Sequence, residues 1–583
     1  MTESSRIEEE LISAFSTTPG SDDAFIKQCS SLCKTYNVAP LDLYFKWESL
    51  VISSSTAGAR IINKGTAGAI RDLLQSELNK IKANQKRAEL NARMSRGRGL
   101  GLSGLAGRSS RFPEVGMVKP MLGDAFASTS LNGNRMAGPS KVAFRSFGDE
   151  ESKDRRSYRY MYEKTSERSD ALDERIDEFG ALVREHYEIS DLGDPSSSTD
   201  EDVVVIGRIT LDAESSSSGS VKLNEASLCL ESSRMMGSGA RVPLKFDSNV
   251  KLRASVKGLG SVGLFPGAIV ALKGKNGGAG WFSVSEILTL PPLKPSHTNP
   301  DNTKLEAIDT SFSMVIASGP FSPNADLLYK PWKSLLKTLK LQKPAVVLLI
   351  GPFVDSNHPK LKSGDIDESP SEILFANFTE NLRDFLEISP DSLILIVPST
   401  QDAISEHIAF PQGLSNCSKR IKLLSNPCQF SLNGVTFAVS SVDVLFHLRK
   451  EELVKYVEEI DPIAPSAGDA VTDTMTNTCR HLLQQRSFYP LFPVPLDLSH
   501  EVNLDVSHSD GLDLCPQETM GYAPDVLIVP SRLKHFSKIV DDTVAVNPSY
   551  ITKSIFASLS YIGHGDGPAK SRIKVDVGRM PEQ

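Results

Sequence analysis

The sequence has few of the features that are typical of secreted and membrane proteins. Its 583 residues include seven cysteines, an odd number without a Cys-x-x-Cys pair, so the sequence predicts neither a disulfide framework nor a zinc site. It contains no run of 18 apolar residues, and the acidic start from Met1 to Glu10 is typical of neither a signal peptide nor a transit peptide. We therefore expect reduced, mostly buried thiols, no membrane segment, and a reducing cytosol or nucleus as the surroundings.

The chain has a small excess of negative charge, but its positive charge is concentrated in one stretch. The formal net charge of -8 argues against a general nucleic-acid coat. Between Lys80 and Arg111, however, nine Lys or Arg residues accompany a single Glu. Three interpretations stay open for this stretch and for the later Lys153-Asp-Arg-Arg: a nuclear import signal, transient nucleic-acid contact, or a solvated linker kept expanded by its charge.

The first part of the chain predicts a small helical domain followed by a flexible tether. The length of the chain suggests three or four domains. In residues 1–90, apolar side chains recur at helical spacing in four segments, which predicts an all-α bundle of four helices. One predicted helix follows Asp23 and carries the apolar residues Phe25, Cys29, Leu32, Cys33 and Tyr36, and the next opens at Pro40 and carries Leu41, Tyr44, Phe45, Leu50 and Val51. In residues 91–200 this periodicity fades into basic, Ser- and Gly-rich sequence, apart from a helix predicted over residues 170–187.

An acidic serine run at residues 195–202 closes the predicted tether. Ser197, Ser198 and Thr199 lie beside acidic residues in this run, and each is a candidate phosphorylation site. Phosphorylation would add negative charge to the tether. An unmodified linker is the alternative interpretation.

Residues 201–292 predict a five-stranded β-barrel of the OB-fold type. Five strand-like runs are separated by Gly- and Ser-rich turns, at residues 203–211, 221–230, 250–256, 268–273 and 281–290. OB barrels that grip single strands stack bases on aromatic side chains, and these runs carry almost none. Trp281 and Phe282 are adjacent, so we expect them on opposite faces. The barrel is expected to contact protein, with weak DNA contact left open and a self-sufficient single-strand binder as the competing hypothesis.

Residues 305–583 predict an α/β domain around a mostly buried sheet, reached through a Pro-rich bridge at residues 291–310. The predicted strands are residues 312–316, 345–350, 393–397, 430–440, 525–529 and 573–577. The predicted helices are residues 331–340, 371–386, 443–459 and 470–485.

Four of these strand-like runs end in turns that follow a recognisable order. The turns are Ser318-Gly-Pro320, Gly351-Pro-Phe-Val-Asp355, Ser399-Thr-Gln-Asp402 and Pro530-Ser-Arg-Leu533. Their order resembles the metal-binding motifs of calcineurin-like phosphoesterases, which read Asp-x-His, Gly-Asp-x-x-Asp, Gly-Asn-His-Asp and Gly-His-x-His. In that family the motifs bind two metal ions, which activate water and neutralise phosphate charge.

Nearly every metal-ligating position of this resemblance lacks a suitable donor. The degenerate former metal-site positions are Ser318, Pro320, Pro352, Asp355, Thr400, Gln401, Asp402, Ser531 and Leu533. Two remaining carboxylates, those of Asp355 and Asp402, do not build a two-metal site. We therefore expect no metal, no cofactor and no catalytic residue, and we expect both carboxylates to hold turns through backbone hydrogen bonds. The alternatives are an active metal-dependent phosphoesterase with ligands placed elsewhere, or four ordinary parallel strands of an unrelated α/β domain.

Six blocks of sequence carry a second resemblance. They are Ile316-Ala-Ser-Gly-Pro-Phe, Leu349-Ile-Gly-Pro-Phe-Val-Asp, Val397-Pro-Ser-Thr-Gln-Asp, Ser487-Phe-Tyr-Pro-Leu-Phe-Pro, Pro524-Asp-Val-Leu-Ile-Val-Pro-Ser-Arg-Leu-Lys-His-Phe and Val546-Asn-Pro-Ser. With a barrel leading directly into the α/β domain, they resemble the B-subunit family of the eukaryotic replicative DNA polymerases, over about Val203 to the end. Within it the polymerase alpha and primase branch matches best, and the delta and epsilon branches, which share the architecture, are the alternatives.

The resemblance implies a non-catalytic organiser rather than an enzyme. In this family the barrel and the inactive phosphoesterase-like domain bind the C-terminal region of the catalytic polymerase subunit, and primase subunits join through the complex. The N-terminal helical domain would recruit replication factors, and its tether would raise their effective concentration. The resemblance further implies a nuclear protein that meets DNA indirectly or weakly and takes part in primer synthesis at the initiation of DNA replication.

Overall fold

The structure, a computed structural model, divides into two compact units, Met1–Gly116 and Met117–Gln583. In the first unit it describes residues 11–13, 15, 23–36, 38–53 and 70–71. In the second it describes residues 142–147, 164–212, 222–254, 257–296, 310–405, 409–412, 420–460, 473–514, 521–563 and 568–580. The basic stretch of residues 80–111 lies outside the described residues, as does most of the predicted tether before residue 164.

The first unit contains helices α1 (Asp23–Tyr36) and α2 (Pro40–Ser53), which pack on a small apolar core. Both helices lie where the sequence predicts them. The predicted apolar face of α2 is partly wrong, because Leu41 and Phe45 are 61% and 59% exposed while Leu43 is fully buried. Apolar residues occur on more than one side of this helix, so packing selects the buried face. The other two predicted helices fall mostly outside the described residues, and the four-helix bundle stays a prediction.

The second unit begins with the elements of a barrel and a flanking helix. Its first strands are β1 (Phe144–Ser146), β2 (Val203–Leu211), β3 (Leu228–Glu231), β4 (Arg241–Arg253), β5 (Ser261–Leu264), β6 (Ile269–Lys275) and β7 (Phe282–Leu288). Its first helices are α3 (Thr165–Tyr187) and the one-turn α4 (Arg234–Gly237).

Strands β2, β3, β4, β6 and β7 close into a barrel, which confirms the predicted five-stranded barrel. β2 pairs with β3 and β6, β3 with β4, and β6 with β7, all antiparallel; parallel pairing of β4 with β7 closes the ring. Phe282 is fully buried and Trp281 is 37% exposed, as their adjacency predicts. The strand predicted over residues 221–230 forms only from Leu228, because Asn224 caps a short turn by accepting the N–H groups of Ala226 and Ser227.

Helix α3 packs along the outside of the barrel and does not interrupt a tether. Its residues Ile176, Phe179 and Val183 are buried in one cluster with side chains of β2, β6 and β7. The Tyr187 hydroxyl donates a hydrogen bond of 2.7 Å to the Thr289 carbonyl. The expectation of a tether up to residue 200 is therefore wrong from residue 164 onward. The helical stripe was visible in the sequence, but the strands that cover it come later in the chain.

The remaining elements form what we call the two-sheet body, the described residues from 310 to 580. Its strands are β8 (Phe312–Ser318), β9 (Val346–Ile350), β10 (Leu393–Val397), β11 (Ala409–Phe410), β12 (Ile421–Leu423), β13 (Cys428–Leu432), β14 (Val435–Val439), β15 (Leu453–Tyr456), β16 (Glu458–Ile460), β17 (Asn503–Leu504), β18 (Val526–Ile528), β19 (Phe536–Val540), β20 (Thr543–Asn547), β21 (Ile555–Tyr561) and β22 (Ile573–Arg579). Its helices are α5 (Lys330–Gln342), α6 (Pro359–Ser363), α7 (Pro370–Leu374), α8 (Glu380–Ile388), α9 (Val444–Glu451), α10 (Thr474–Gln484) and α11 (Ala569–Arg572).

Two six-stranded sheets pack face to face in the body. Sheet I has the order β12-β10-β9-β8-β21-β22, and sheet II has the order β1-β13-β14-β18-β20-β19. Side chains of both sheets fill the space between them. The outer face of sheet I packs against α5, α7 and α8, and that of sheet II against α9, α10 and the barrel. Strands covered on both faces need apolar side chains throughout, which is why the continuous runs of β9 and β10 were predicted correctly.

Two predicted elements of the body are wrong. The strand predicted over residues 430–440 is the hairpin of β13 and β14, because Asn433 and Gly434 take positive φ angles of 48° and 84° and reverse the chain. The helix predicted over residues 443–459 stops at Glu451, and the chain continues as β15 and β16. β15 pairs with β5, and β16 pairs with β4 of the barrel. Periodicity within the segment does not reveal either partner.

The barrel and the body are joined by specific contacts as well as by a shared apolar core. Glu459 accepts the backbone N–H groups of three consecutive barrel residues, 258–260, at 2.7 to 3.1 Å. The side chain of Gln485 bonds both backbone groups of Ile269 at 2.9 Å. Gly267 has a φ of 97°, and a Cβ there would lie 2.3 Å from the Phe492 nitrogen. The two parts therefore form one continuous unit.

The described cysteines are Cys29, Cys33, Cys229, Cys428 and Cys479, and all five are buried, as predicted. Burial raises the pKa of Cys29 and that of Cys479 to about 12, so both thiols stay protonated at neutral pH. Cys417 and Cys515 lie outside the described residues. Among the helices that the structure describes, none is both long and apolar enough to cross a membrane.

Candidate functional site

The turns after β8, β9 and β10 meet at one edge of sheet I. These strands are parallel neighbours, and the carboxyl ends of parallel strands are where open α/β sheets place their binding sites. The turns and the residues facing them enclose a cleft of about 110 Å³. It is lined by Gly319, Pro320, Gly351, Pro352, Ser399, Thr400, Gln401, Ser441, Val442, Asp443, Glu501, Arg532 and Tyr550. Four predicted positions, Pro320, Pro352, Thr400 and Gln401, are therefore brought together in the lining.

The other predicted positions do not line this cleft. Ser318 is buried at the end of β8. Ser531 is fully buried, and its hydroxyl accepts the N–H of Leu533 at 3.1 Å. Asp355 and Asp402 lie behind the turns, paired through a single β-bridge. The cleft therefore presents proline rings and hydroxyl or amide groups where the resemblance places metal-binding side chains.

Two glycines allow the turns to approach each other. A Cβ on Gly319 would lie 2.1 Å from the Pro352 carbonyl oxygen, and one on Gly351 would lie 2.6 Å from Asp402 Oδ2. Both distances are shorter than any real contact, and the first is to backbone, which does not move aside easily. The turns after β8 and β9 are thus packed backbone to backbone, which fixes the positions of Pro320 and Pro352.

Asp402 links the turn after β9 to the turn after β10. One carboxyl oxygen accepts the N–H groups of Phe353 and Val354, the latter at 3.2 Å, and the other accepts that of Ser399 at 3.0 Å. Burial raises the pKa of Asp402 to about 7, and these hydrogen bonds only partly oppose the rise. The expectation that Asp402 holds turns is confirmed, and both of its oxygens are already engaged.

Asp355 holds a turn of its own. Its Oδ1 accepts the N–H of Asn357 at 2.8 Å, and the next residue, Ser356, donates its N–H to the Gln401 carbonyl at 2.8 Å. Burial raises the pKa of Asp355, and the proximity of Asp355 in turn contributes to the raised pKa of Asp402. Asp355 therefore holds its own turn, as predicted, and the backbone of Ser356 links that turn to the turn after β10.

The facing wall of the cleft is a network of charged side chains. Asp443 lies at the N-terminus of α9, and its Oδ2 accepts the Nε of Arg532 at 3.0 Å and the hydroxyl of Tyr550 at 3.2 Å. The guanidinium of Arg532 also donates to Glu501 Oε2 at 2.5 Å. The same Glu501 oxygen lies 3.2 Å from Nε2 of the fully buried His447. One guanidinium thus joins two carboxylates across the cleft.

The pKa shifts of this network follow from its charges. Burial alone would raise the pKa of Glu501, but hydrogen bonds from His447 and Arg532 outweigh it and lower that pKa to about 2. Burial alone would lower the pKa of Arg532, but Glu501 and Asp443 outweigh it and raise that pKa further. Burial and the charge of Asp443 raise the pKa of Tyr550 well above its usual range. At neutral pH Glu501 is therefore a carboxylate and Arg532 is a guanidinium cation.

A two-metal centre, which the resemblance to calcineurin-like phosphoesterases would require, does not fit these residues. Pro320, Pro352 and Leu533 carry no donor atom at three of the positions. The Asp402 oxygens accept backbone N–H groups, and the carboxylates of Asp443 and Glu501 are paired with a side chain that is itself a cation. Within the described residues, no three His, Cys, Asp or Glu side chains come together so as to hold a metal ion.

Sequence reasoning missed most of the charged wall. Asp443 had a usable signal, because an Asp directly before an apolar helical run is a common helix N-cap. Arg532 was noted only as the variable residue of a motif. Glu501 and Tyr550 lie in irregular segments and reach the cleft through contacts with residues distant in the chain. No local pattern predicts such contacts.

The three candidate phosphorylation sites lie on a loop attached to the barrel. Ser197 and Ser198 are exposed and Thr199 is half-buried. The N–H of Thr199 donates to the Asn276 carbonyl at 2.8 Å, and the Ser197 hydroxyl donates to Asp194 at 3.2 Å. The loop is therefore fixed to the barrel rather than part of a tether. Phosphorylation at these positions stays a prediction.

Comparison with known families identifies the kind of protein to which this fold and cleft belong. The family model for the B subunit of DNA polymerases alpha and epsilon matches residues 314–538, and the model for the OB domain of the polymerase alpha B subunit matches residues 169–290. The chain belongs to this B-subunit family of DNA polymerases, and its barrel is an OB domain. The resemblance predicted from the sequence blocks is confirmed.

Within the family, the chain is similar to proteins named as the B subunit of DNA polymerase alpha. It is 38% identical to the Schizosaccharomyces pombe protein over 68% of this chain and 66% of that one. It is 30% identical to the Saccharomyces cerevisiae protein over 67% of this chain and 58% of that one, and 30% identical to the Bos taurus protein over 66% and 57%. The chain thus spans less than two thirds of the length of these relatives.

A solved structure from Thermus thermophilus, TT1561, covers 47% of this chain and all of its own at 11% identity. Its TM-score of 0.21 is too low to support a shared fold.

Proposed function

We propose that the chain is a non-catalytic accessory subunit of the DNA polymerase alpha and primase complex. It binds the C-terminal region of the catalytic polymerase subunit, joins primase through the complex, and organises primer synthesis in the nucleus when DNA replication begins. The names of its relatives support membership of this complex. The lack of suitable metal ligands at the cleft supports a non-catalytic role. The two-sheet body is then a phosphoesterase-like domain that has kept its strand ends and lost its metal ligands.

The observation that carries this proposal is the joining of the barrel to the body. Strand β15 of the body pairs with β5, which follows barrel strand β4 in the chain, and β16 pairs with β4 itself. Glu459 accepts the backbone N–H groups of residues 258–260 at the same junction. Two domains held in a fixed relation present a broad surface that a partner can bind without ordering it first. Avoiding that ordering entropy favours tight association.

Affinity purification of the full chain from dividing cells tests the assignment to a complex. Mass spectrometry should recover the catalytic subunit of polymerase alpha and both kinds of primase subunit. Recovery of the catalytic subunit of polymerase delta or epsilon without primase would instead support one of those branches. Failure of the tagged chain to recover any catalytic polymerase subunit would contradict the proposal.

A pair of junction variants tests whether the fixed barrel and body matter for binding. Glu459→Lys places a cation beside three backbone N–H groups and should weaken binding of the catalytic subunit's C-terminal region by about tenfold or more, about 1.4 kcal/mol. Glu458→Lys is the matched control, because that neighbouring side chain is exposed. Equal loss of binding in the two variants, measured by calorimetry, would argue against the role of the junction.

Weak DNA contact is a second role that one observation favours. On the outside of the barrel, the ammonium group of Lys245 lies 3.2 Å from the centre of the Trp281 ring, and a cation beside an aromatic ring suits a single strand. We expect Kd values of about 10⁻⁴ to 10⁻⁶ M at physiological salt, and we expect the affinity to fall steeply as the salt concentration rises. Fluorescence anisotropy with Trp281→Ala as the variant measures this, and tight, salt-resistant binding would favour the single-strand-binder hypothesis.

The N-terminal helical unit is proposed to recruit other replication factors. Deletion of residues 1–116 removes this unit as a whole, since it forms its own compact unit. The deleted chain should still bind the catalytic polymerase subunit while losing the factors recruited by the unit. Loss of the polymerase subunit as well would contradict this division of roles.

A further inference from the structure

A short strand from far upstream completes sheet II of the body. β1 pairs antiparallel with β13, with Phe144 opposite Leu432 and Ser146 opposite Phe430. Without β1, the backbone of β13 would form an unpaired sheet edge. The segment of residues 142–147, which we call the arm segment, is separated by 16 residues from the next described residue, Lys164. Its described contacts are with the body and within the segment itself.

The backbone of the arm segment is bonded at both ends. The N–H of Phe147 donates to the Gln429 carbonyl at 3.1 Å. At the other end, the Asn433 N–H donates to the Ala143 carbonyl at 3.0 Å, and the Ala143 N–H donates to Asn433 Oδ1 at 2.8 Å. The amide nitrogen of the same side chain donates to the Thr310 carbonyl at 3.0 Å. Asn433 is therefore oriented by the body and recognises both backbone groups of Ala143.

Alternate side chains of the arm segment enter the core between the two sheets. Val142 is 5% exposed and belongs to the inter-sheet core, and Phe144 packs against it. The Phe144 ring centre lies 5.9 Å from that of Phe430. Ala143 and Arg145, which alternate with these residues, are exposed. A shift of one residue would place Ala143 and Arg145 in the core, so the order of apolar and polar residues specifies the register.

We propose that the arm segment is a docking motif and that the edge of β13, with the turn at Asn433 and Gly434, is its receptor. The receptor binds an extended peptide by β-strand addition. The peptide carries apolar side chains at its first and third positions, and Asn433 bonds the backbone N–H and carbonyl of its second position. In this structure the arm segment of the same chain occupies the receptor. Among the described residues of the second unit, contact with the body therefore begins at Val142, beside β13.

Hydrogen exchange on the full chain tests the docking. The docking variant carries Val142→Asp and Phe144→Asp, which place two carboxylates in the inter-sheet core. The matched control carries Ala143→Asp and Arg145→Asp, which place them on exposed positions of the same strand. Amides of residues 143–147 and 429–433 should exchange about tenfold faster or more in the docking variant than in the wild type, and should stay protected in the control. Equal exchange in all three proteins would overturn the proposal.

A labelled peptide of residues 140–149 provides an independent readout. It should bind the docking variant, whose receptor is empty, and not the wild type, whose receptor is filled. A peptide with the same two Asp substitutions should not bind either protein. Equal binding to the wild type and the docking variant would place the receptor elsewhere, and no binding to the folded docking variant at millimolar peptide would contradict the proposal. A cooperative melting transition in each variant shows that its body is folded.

Discussion

The two walls of the cleft hold a carboxylate in opposite ways. Directly behind the wall of strand-end turns, Asp402 accepts hydrogen bonds from backbone N–H groups, and burial raises its pKa to about 7. On the charged wall, Glu501 is buried too, but His447 and Arg532 outweigh the burial and lower its pKa to about 2. The first carboxylate stabilises turns and the second stabilises an ion network. Each wall therefore supplies an internal partner for its carboxylates, which leaves neither wall dependent on a metal ion.

The largest effect is expected where the backbone-held wall is packed most tightly. Gly319→Ala would place a Cβ 2.1 Å from the Pro352 carbonyl oxygen, so the turns after β8 and β9 must separate. We expect a loss of about 3 kcal/mol or more in the free energy of unfolding, measured by chemical denaturation. Gly277→Ala is the control, because a Cβ there has nothing within 4 Å. Similar losses for both variants would mean that the wall is looser than described.

Removing the carboxyl group of Asp402 tests whether backbone N–H groups need it. Asp402→Ala leaves the N–H groups of Phe353, Val354 and Ser399 without their acceptor, and we expect a loss of about 2 to 3 kcal/mol in stability. Asp402→Asn keeps one acceptor oxygen and should lose less. An Asn variant as unstable as the Ala variant would indicate that the charge, and not the hydrogen bonds, matters at this wall.

The charged wall should respond to loss of its cation. Arg532→Met keeps the length of the side chain but leaves Asp443 and Glu501 without a shared partner. We expect a loss of about 1 to 2 kcal/mol, moderated because the Arg532 side chain is 40% exposed and solvent screens the pair. Arg532→Lys keeps the charge without the two-pronged geometry and should recover part of the loss. Full stability in the Met variant would contradict the ion network.

The most diagnostic effect is the opposite pH dependence of the two walls. The pKa of Asp402 in the folded protein, about 7, lies above its ordinary value of 3.8. Its contribution to stability is therefore complete below pH 3.8 and is lost as the pH rises through 7. The folded pKa of Glu501, about 2, lies below its ordinary value of 4.5, so its contribution is present above that value and is lost as pH falls toward 2.

Melting temperatures measured against pH separate the two contributions. Asp402→Asn should flatten the decline between about pH 4 and pH 8, and Glu501→Gln should flatten the decline below about pH 4.5. Each variant leaves the other wall's titration in place and so serves as its control. A single variant that removed both declines would mean that the two walls titrate together.

The sequence predicted best those parts of the fold that are fixed by local burial. Strands β8, β9 and β10 are continuous apolar runs, because both of their faces are covered, and their turns end in the residues that line the cleft. The backbone role of Asp402 was also predictable, since a lone Asp in a turn commonly accepts backbone N–H groups.

The parts that the sequence could not predict are fixed by distant partners. Residues 453–460 are strands because β5 and the barrel strand β4 pair with them, with Leu453 opposite Leu264 and Glu458 opposite Lys251. The arm segment is a strand because β13 and Asn433 receive it, almost 300 positions later in the chain. Glu501 reaches Arg532 from an irregular segment. In each case the deciding contact is absent from the local pattern, so no window of sequence contains the information.

Metal binding by the purified full chain tests most directly whether the cleft has lost its metal site. Calorimetry with manganese and zinc measures the binding, and an assay on a generic phosphodiester measures turnover. We expect no stoichiometric metal and no turnover above that of the buffer, because backbone N–H groups engage the carboxylate behind the cleft and Arg532 engages those that line it. Two tightly bound ions per chain, with turnover that Asp402→Asn abolishes, would contradict it.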